Sequence, residues 1–196
     1  FINYFRDSTE IFQGLKLIDE KLGGTTPLEI LIKFKKDTAF DLKPEDLEGL
    51  SKEDIEMEHE YAAIRAKSPQ YWFTPSKIQR IKEVQDYLDG RSEIGKVLSL
   101  ASMVRIAEDF LDKELDGLEL AILYTKISPA EKRDLIAPYV SINNNEARFL
   151  ARVTDSKPDL RRKELLETVR YDLVNKLGFE KQEIVVSGLM VLYNNM

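Results

Sequence analysis

The chain has 196 residues, with 29 Lys and Arg against 35 Asp and Glu, a net charge of −6 and an isoelectric point near 5.1. One elaborated domain is the default at this length, and folding buries about 70% of the unfolded surface, so a core forms without staples. The acidic balance speaks against a general nucleic-acid binder. The absence of Cys excludes thiol catalysis, Cys-ligated zinc and disulfides, and no run reaches the ~18 apolar residues of a membrane span.

Residues 8–22 carry Ile11, Leu15, Ile18 and Leu22 on one helical stripe, which Gly23-Gly24 ends. From Pro27 the period becomes two. Leu28, Ile30, Ile32 and Phe34 alternate with Glu29, Leu31, Lys33 and Lys35, which predicts a strand over 28–36 with one apolar face. Residues 37–70 read as a charge-rich insertion, a solvated loop with short helices. Tyr71-Trp72-Phe73 breaks that polar run just before Thr74, a helix cap, and Pro75, a first helical residue. Ile78, Ile81, Val84 and Leu88 then share a face of a helix over 75–89, stopped by Gly90. Residues 92–126 read as helical, with Ile94, Val97, Leu98, Ala101, Val104 and Ala107 as the buried stripe. Ser128-Pro129-Ala130-Glu131 is a capping box opening a short helix that Pro138 closes. Residues 139–142 and 146–154 flank Asn143-Asn144-Asn145 as a hairpin. A helix over 159–177, begun by Pro158 and lined by Leu166, Val169, Leu173 and Leu177, leads past Gly178 to a last strand over 183–187. Insertions aside, the order is β-α-β-β-α-β. It predicts an α+β, ferredoxin-like fold with two helices on one face of a four-stranded antiparallel sheet. The other face must meet water or another domain.

Catalytic constellations are absent. His59 is the lone histidine, set in Glu56-Met57-Glu58-His59-Glu60, and a solvated acidic face is preferred there over a loose metal site. Gly23-Gly24 follows a helix and so forms no phosphate loop. The basic run Arg161-Arg162-Lys163 lacks the glycine-flanked aromatics of an RNA-binding strand, and a solvent-facing helix start is preferred. Three adjacent aromatics cannot all point inward from one element. Tyr71, Trp72 and Phe73 therefore stand as candidate substrate-binding residues, weighed against a role anchoring the insertion to the core. No metal ligands, catalytic residues or cofactor are expected.

Several stretches in register resemble the predicted exporters of the RND superfamily, in their MMPL-like branch. They are Tyr71-Trp72-Phe73-Thr74-Pro75, Ile94-Gly95-Lys96-Val97-Leu98-Ser99-Leu100-Ala101, Leu120-Ala121-Ile122-Leu123-Tyr124, Pro138-Tyr139-Val140-Ser141, Glu146-Ala147-Arg148, and Gly188 to Met196. The resemblance implies the first extracytoplasmic loop, between transmembrane helices one and two. On that reading residues 1–26 hold an N-terminal helix leading from the membrane. Residues 27–187 are a ferredoxin-like porter domain with insertions at 37–73 and 91–137, and residues 188–196 lead to the next span. Ends at Phe1 and Met196 fit cuts from such a longer protein. The implied function is non-enzymatic: part of the path of a hydrophobic, lipid-like or amphiphilic substrate through a proton-driven exporter. The domain would stand on the periplasmic side of a bacterial inner membrane, soluble as a fragment, with the rest of the transporter as its partner and a homo-oligomeric parent left open. The alternative is a non-catalytic interaction module that docks a periplasmic partner or neighbouring subunit through its free sheet face. A cleft near Trp72 favours transport, whereas a flat apolar sheet face favours docking.

Overall fold

The alternation that begins at Pro27 becomes β1 (Thr26–Lys33), the centre of the sheet. In the computed structural model, which describes residues 5–34, 51–53, 55–56 and 72–194, β1 pairs antiparallel with β4 (Glu146–Val153) over its whole length. Its other edge pairs with β5 (Ile184–Ser187), again antiparallel. The far edge of β4 takes β2 (Ile94–Leu98) and, at its start, the short β3 (Val140–Ser141). The order is β2-β4-β1-β5 with β3 beside β4. His59, Glu60 and Tyr71, nearly all of residues 37–70, and both extreme ends lie outside the described residues.

One sheet face is apolar because every strand contributes its matching parity. Ile30 lies opposite Phe149 on one side and Val186 on the other, with Leu28 opposite Ala151. Against this face pack α2 (Pro75–Asp89), through Ile78, Ile81, Val84 and Leu88, and α6 (Arg162–Asn175), through Leu165, Leu166, Val169 and Leu173. Each such aliphatic side chain, fully buried, contributes roughly 1.5–3 kcal/mol over exposure. The fold is α+β, as the element order predicts. The opposite face carries Leu31, Leu98 and Leu150 half-exposed, crossed by an ion pair of Arg148 with Glu29 at 2.8 Å.

Three expectations need correction. The sheet has five strands rather than four, because Ile94–Leu98 joins it as well as Val140–Ser141. Residues 92–126 are not continuously helical, since Ile94–Leu98 is an edge strand lying inside the segment read as an insertion at 91–137. A bulge between Ile94 and Lys96 explains the misreading. The extra residue lets Ile94 and Val97, three apart, both face the core, and that spacing imitates a helix. Ser99 then ends the strand and caps α3 (Leu100–Leu111), accepting from the Ala101 N–H. The last long helix starts at Arg162 rather than 159, because residues 155–159 turn so that buried Asp155 can take Arg162 as its ion partner. The hairpin holds, with Asn145 at φ 53°. So does the capping box, where Ser128 accepts from Glu131 N–H and opens α5 (Pro129–Glu131) after α4 (Gly117–Lys126). Past α5 the chain widens into a π turn (Lys132–Ile136). A short α7 (Leu189–Asn194) follows β5 and buries Met190.

The stripe of α1 (Glu10–Lys21) does not enter the core, as Ile11 and Ile18 are exposed. A polar latch holds this helix instead. Asp19, 1% exposed, accepts from Thr25 N–H and Oγ1, both at 2.7 Å, from Asp155 N–H at 3.1 Å and from Ser156 N–H at 2.8 Å. Burial alone would raise the Asp19 carboxyl, but these hydrogen bonds outweigh it and hold the group below its ordinary value. A depressed carboxyl contributes stability above its unfolded value and loses it as pH falls through the folded one. Asp19→Asn is expected to cost about 3 kcal/mol at neutral pH, since hydrogen bonds to a charged acceptor carry about 1.5–3 kcal/mol. Urea melts across pH test this. The gap between wild type and variant should narrow below pH 3.8, and a gap indifferent to pH would show that the charge is not what holds the latch.

Candidate functional site

A 3₁₀ turn at 72–73 drops two adjacent aromatics inward immediately before Pro75 starts α2. Trp72 is 1% exposed and Phe73 2%. They anchor different elements. The Trp72 ring stands edge-on to Phe34, just past β1, at 5.5 Å and 82°. Phe34 in turn stands edge-on to Phe179, between α6 and β5, at 5.8 Å. Phe73 meets Tyr124 of α4 at 5.0 Å. Such pairs add about 0.5–1.5 kcal/mol each beyond area burial. The Lys77 ammonium lies 4.6 Å from the Phe34 ring and 5.5 Å from that of Trp72, so a buried cation is seated on the same aromatic spine.

Beside Trp72 opens a cleft of about 240 Å³. Trp72, Tyr124, Ile136 and Val140 are among its lining residues, and Lys132 and Arg133 supply its charge. The Lys132 ammonium lies 4.2 Å over the Tyr124 ring, while Arg133 pairs with exposed Asp134 at 3.0 Å. The π turn that carries both cations closes through a bond from Ala137 N–H to the Lys132 carbonyl. Burial raises the Tyr124 hydroxyl, which stays protonated at neutral pH and presents a donor. Ordinary small-molecule pockets span about 300–1,000 Å³, so this one accommodates an apolar arm rather than a large ligand. Its walls suit an apolar chain, and its cations suit a negative head group.

Other polar clusters are structural. Asp172, buried on α6, accepts from the Tyr87 hydroxyl at 2.9 Å and the Lys176 ammonium at 3.0 Å, tying α2 to α6. Burial would raise its carboxyl, yet these donors, with the charges of Lys176 and Arg91, hold it low. Burial and that same carboxylate push the Tyr87 hydroxyl well up. Among the described residues no group of three or more His, Cys, Asp or Glu side chains is placed to hold a metal ion. No helix among them is long and apolar enough to cross a membrane.

Of the sequence candidates, Trp72 lines the cleft and Phe73 braces its Tyr124 wall, while Tyr71 lies outside the described residues. Sequence reasoning missed Tyr124, Lys132, Ile136 and Val140. They lie some fifty to seventy positions downstream of Trp72, spread over a helix, a π turn and a hairpin strand. The capping box at Ser128 was the one local signal, since it fixes where the following turn presents Lys132. Comparison of the chain with protein-family models, with curated proteins and with solved structures gives no match.

Trp72→Ala is expected to destabilise the fold by about 3–5 kcal/mol, as for a fully buried aromatic. Denaturant melts check this, and a loss near zero would mean that the ring is not the anchor its burial implies.

Proposed function

We propose that the chain is an extracytoplasmic porter domain of an RND-superfamily exporter of the MMPL-like branch. It would form part of the path of a hydrophobic, lipid-like or amphiphilic substrate on the periplasmic side of a bacterial inner membrane. The motifs in register from Tyr71 to Met196 support the family. The chain order β1-α2-β2-β4-α6-β5, with β1 between β4 and β5, supports a ferredoxin-like porter core. The observation that carries the transport reading is the apolar cleft against Trp72, with Lys132 and Arg133 at hand for a negative head group. Proton coupling would reside elsewhere in the parent protein. The docking alternative is less well supported, because Glu29 and Arg148 pair across the open sheet face and Lys33, Lys96 and Arg152 are exposed on it.

The lone tryptophan provides the assay. Dodecanoate titrated into the protein should shift Trp72 emission saturably. Ala137→Phe, placed at the exposed edge of the cleft, should weaken that response by about tenfold or more while leaving the melt unchanged. An emission spectrum indifferent to dodecanoate, or a response indifferent to Ala137→Phe, would remove the cleft as a substrate contact.

A further inference from the structure

We propose that the groove between α6 and β5 is a strand-addition site for an extended acidic segment of a partner protein. β5 ends the sheet: β1 pairs with one of its edges and, among the described residues, no strand pairs with the other. Antiparallel pairing engages alternate residues, so half of the main-chain groups of β5 point away from β1. The Ile184 N–H bonds to the Lys181 carbonyl, which assigns Ile184, and by parity Val186, to the outward set. The Val186 N–H and C=O thus point away from β1 toward the groove that this residue lines, although the residue as a whole is only 7% exposed.

Along that edge runs a groove of about 530 Å³, lined by Tyr171 and Val174 of α6, Val185 and Val186 of β5, and the cations Arg170 and Lys181. Tyr171 is 64% exposed and Val185 53%, so both present apolar surface along the groove. Neither Arg170 nor Lys181 forms an ion pair among the described residues, and the nearby carboxylates are engaged elsewhere. Glu183 accepts from Glu180 N–H, Glu180 from the Gln182 amide, Asp172 from Tyr87 and Lys176, and Glu167 faces Lys163. A locally positive, apolar groove on a protein of net charge −6 complements carboxylates. The open main-chain edge distinguishes a peptide from an acyl chain, since only the peptide returns the N–H and C=O partners that the edge lacks. The four residues of β5 match a segment of about 13 Å at roughly 3.3 Å per residue.

A fluorescein-labelled hexapeptide of alternating valine and glutamate tests this by fluorescence anisotropy. Saturable binding that weakens with added salt is expected, with no binding of the valine–lysine counterpart. Val186→Pro removes the outward N–H at an edge position where proline is tolerated, and should weaken binding by about tenfold or more. Arg170→Glu combined with Lys181→Glu should do the same. These are exposed side chains, so the double variant keeps the test decisive if the proline variant fails to fold. Circular dichroism melts verify each variant. Absence of hexapeptide binding, or affinity that survives both sets of substitutions, would overturn the proposal. Saturable binding of oleate in place of the hexapeptide, lost in the double variant, would also overturn it and make the groove an amphiphile site.

Discussion

Everything in this fold hangs on the register of β1. Like β4 it is paired on both edges, and its neighbours arrive from residues 146–153 and 184–187, far along the chain. A slip of one residue would turn Leu28, Ile30 and Ile32 to the open face and bring Glu29, Leu31 and Lys33 into the core. The core then has a single consistent solution. Only in the observed register do Phe149, Ala151 and Val186 meet the same face, and only then do α2 and α6 have an apolar surface to cover. Pro27 reinforces it, sitting near the start of the strand, where a missing N–H is tolerated.

Backbone proximity at one corner is the second constraint. A Cβ on Gly95 would stand 2.4 Å from the Gly23 backbone, and one on Gly24, at φ +106°, would stand 2.5 Å from that of Val153. The end of α1 therefore lies directly on the bulge of β2 and the end of β4, with no side chain between. Such contact leaves little apolar area to hold α1. The Asp19 carboxylate meets that need by gathering main-chain N–H groups from residues 25, 155 and 156. This resolves why a helix with a clear apolar stripe leaves Ile11 and Ile18 in solvent. Its attachment is polar and comes from its last turn.

What the sequence made legible was whatever is encoded locally. The period of β1, the Ser128 capping box, the Asn-rich hairpin and the Pro75 helix start each depend on neighbours within a few positions, and each stands where expected. β2 was hidden by its own bulge, since Gly95 permits an irregularity that places Ile94 and Val97 on one side at helical spacing. The start of α6 was misplaced because Pro158 is an ordinary helix opener. The need of buried Asp155 for Arg162 is tertiary and invisible along the chain. The cleft was half legible. Aromatic density marked Trp72 and Phe73, but the opposite wall is assembled by folding from a helix, a π turn and a hairpin, whose local signals fix their own shapes and not their meeting beside Trp72.

The two sides of the cleft are held by different means, and this bears on how it would work. Trp72 belongs to the aromatic spine of Phe34 and Phe179, joined to the ends of β1 and α6, so it moves only with the sheet. The facing wall is attached more lightly. Leu120 is the buried residue of α4 and Ile136 that of the π turn, with the Phe73–Tyr124 contact between the wall and the spine. Segments with few buried apolar side chains open at a lower free energy than the core. The α4 and π-turn side of the cleft is therefore the side that opens at lower free energy. Lys132, stacked on Tyr124, travels with that wall and keeps its charge over the mouth. The cleft thus has a fixed aromatic floor and a yielding cationic side. On the proposed transport reading, that combination would admit apolar chains of differing girth, with Lys132 following the wall to meet their polar end.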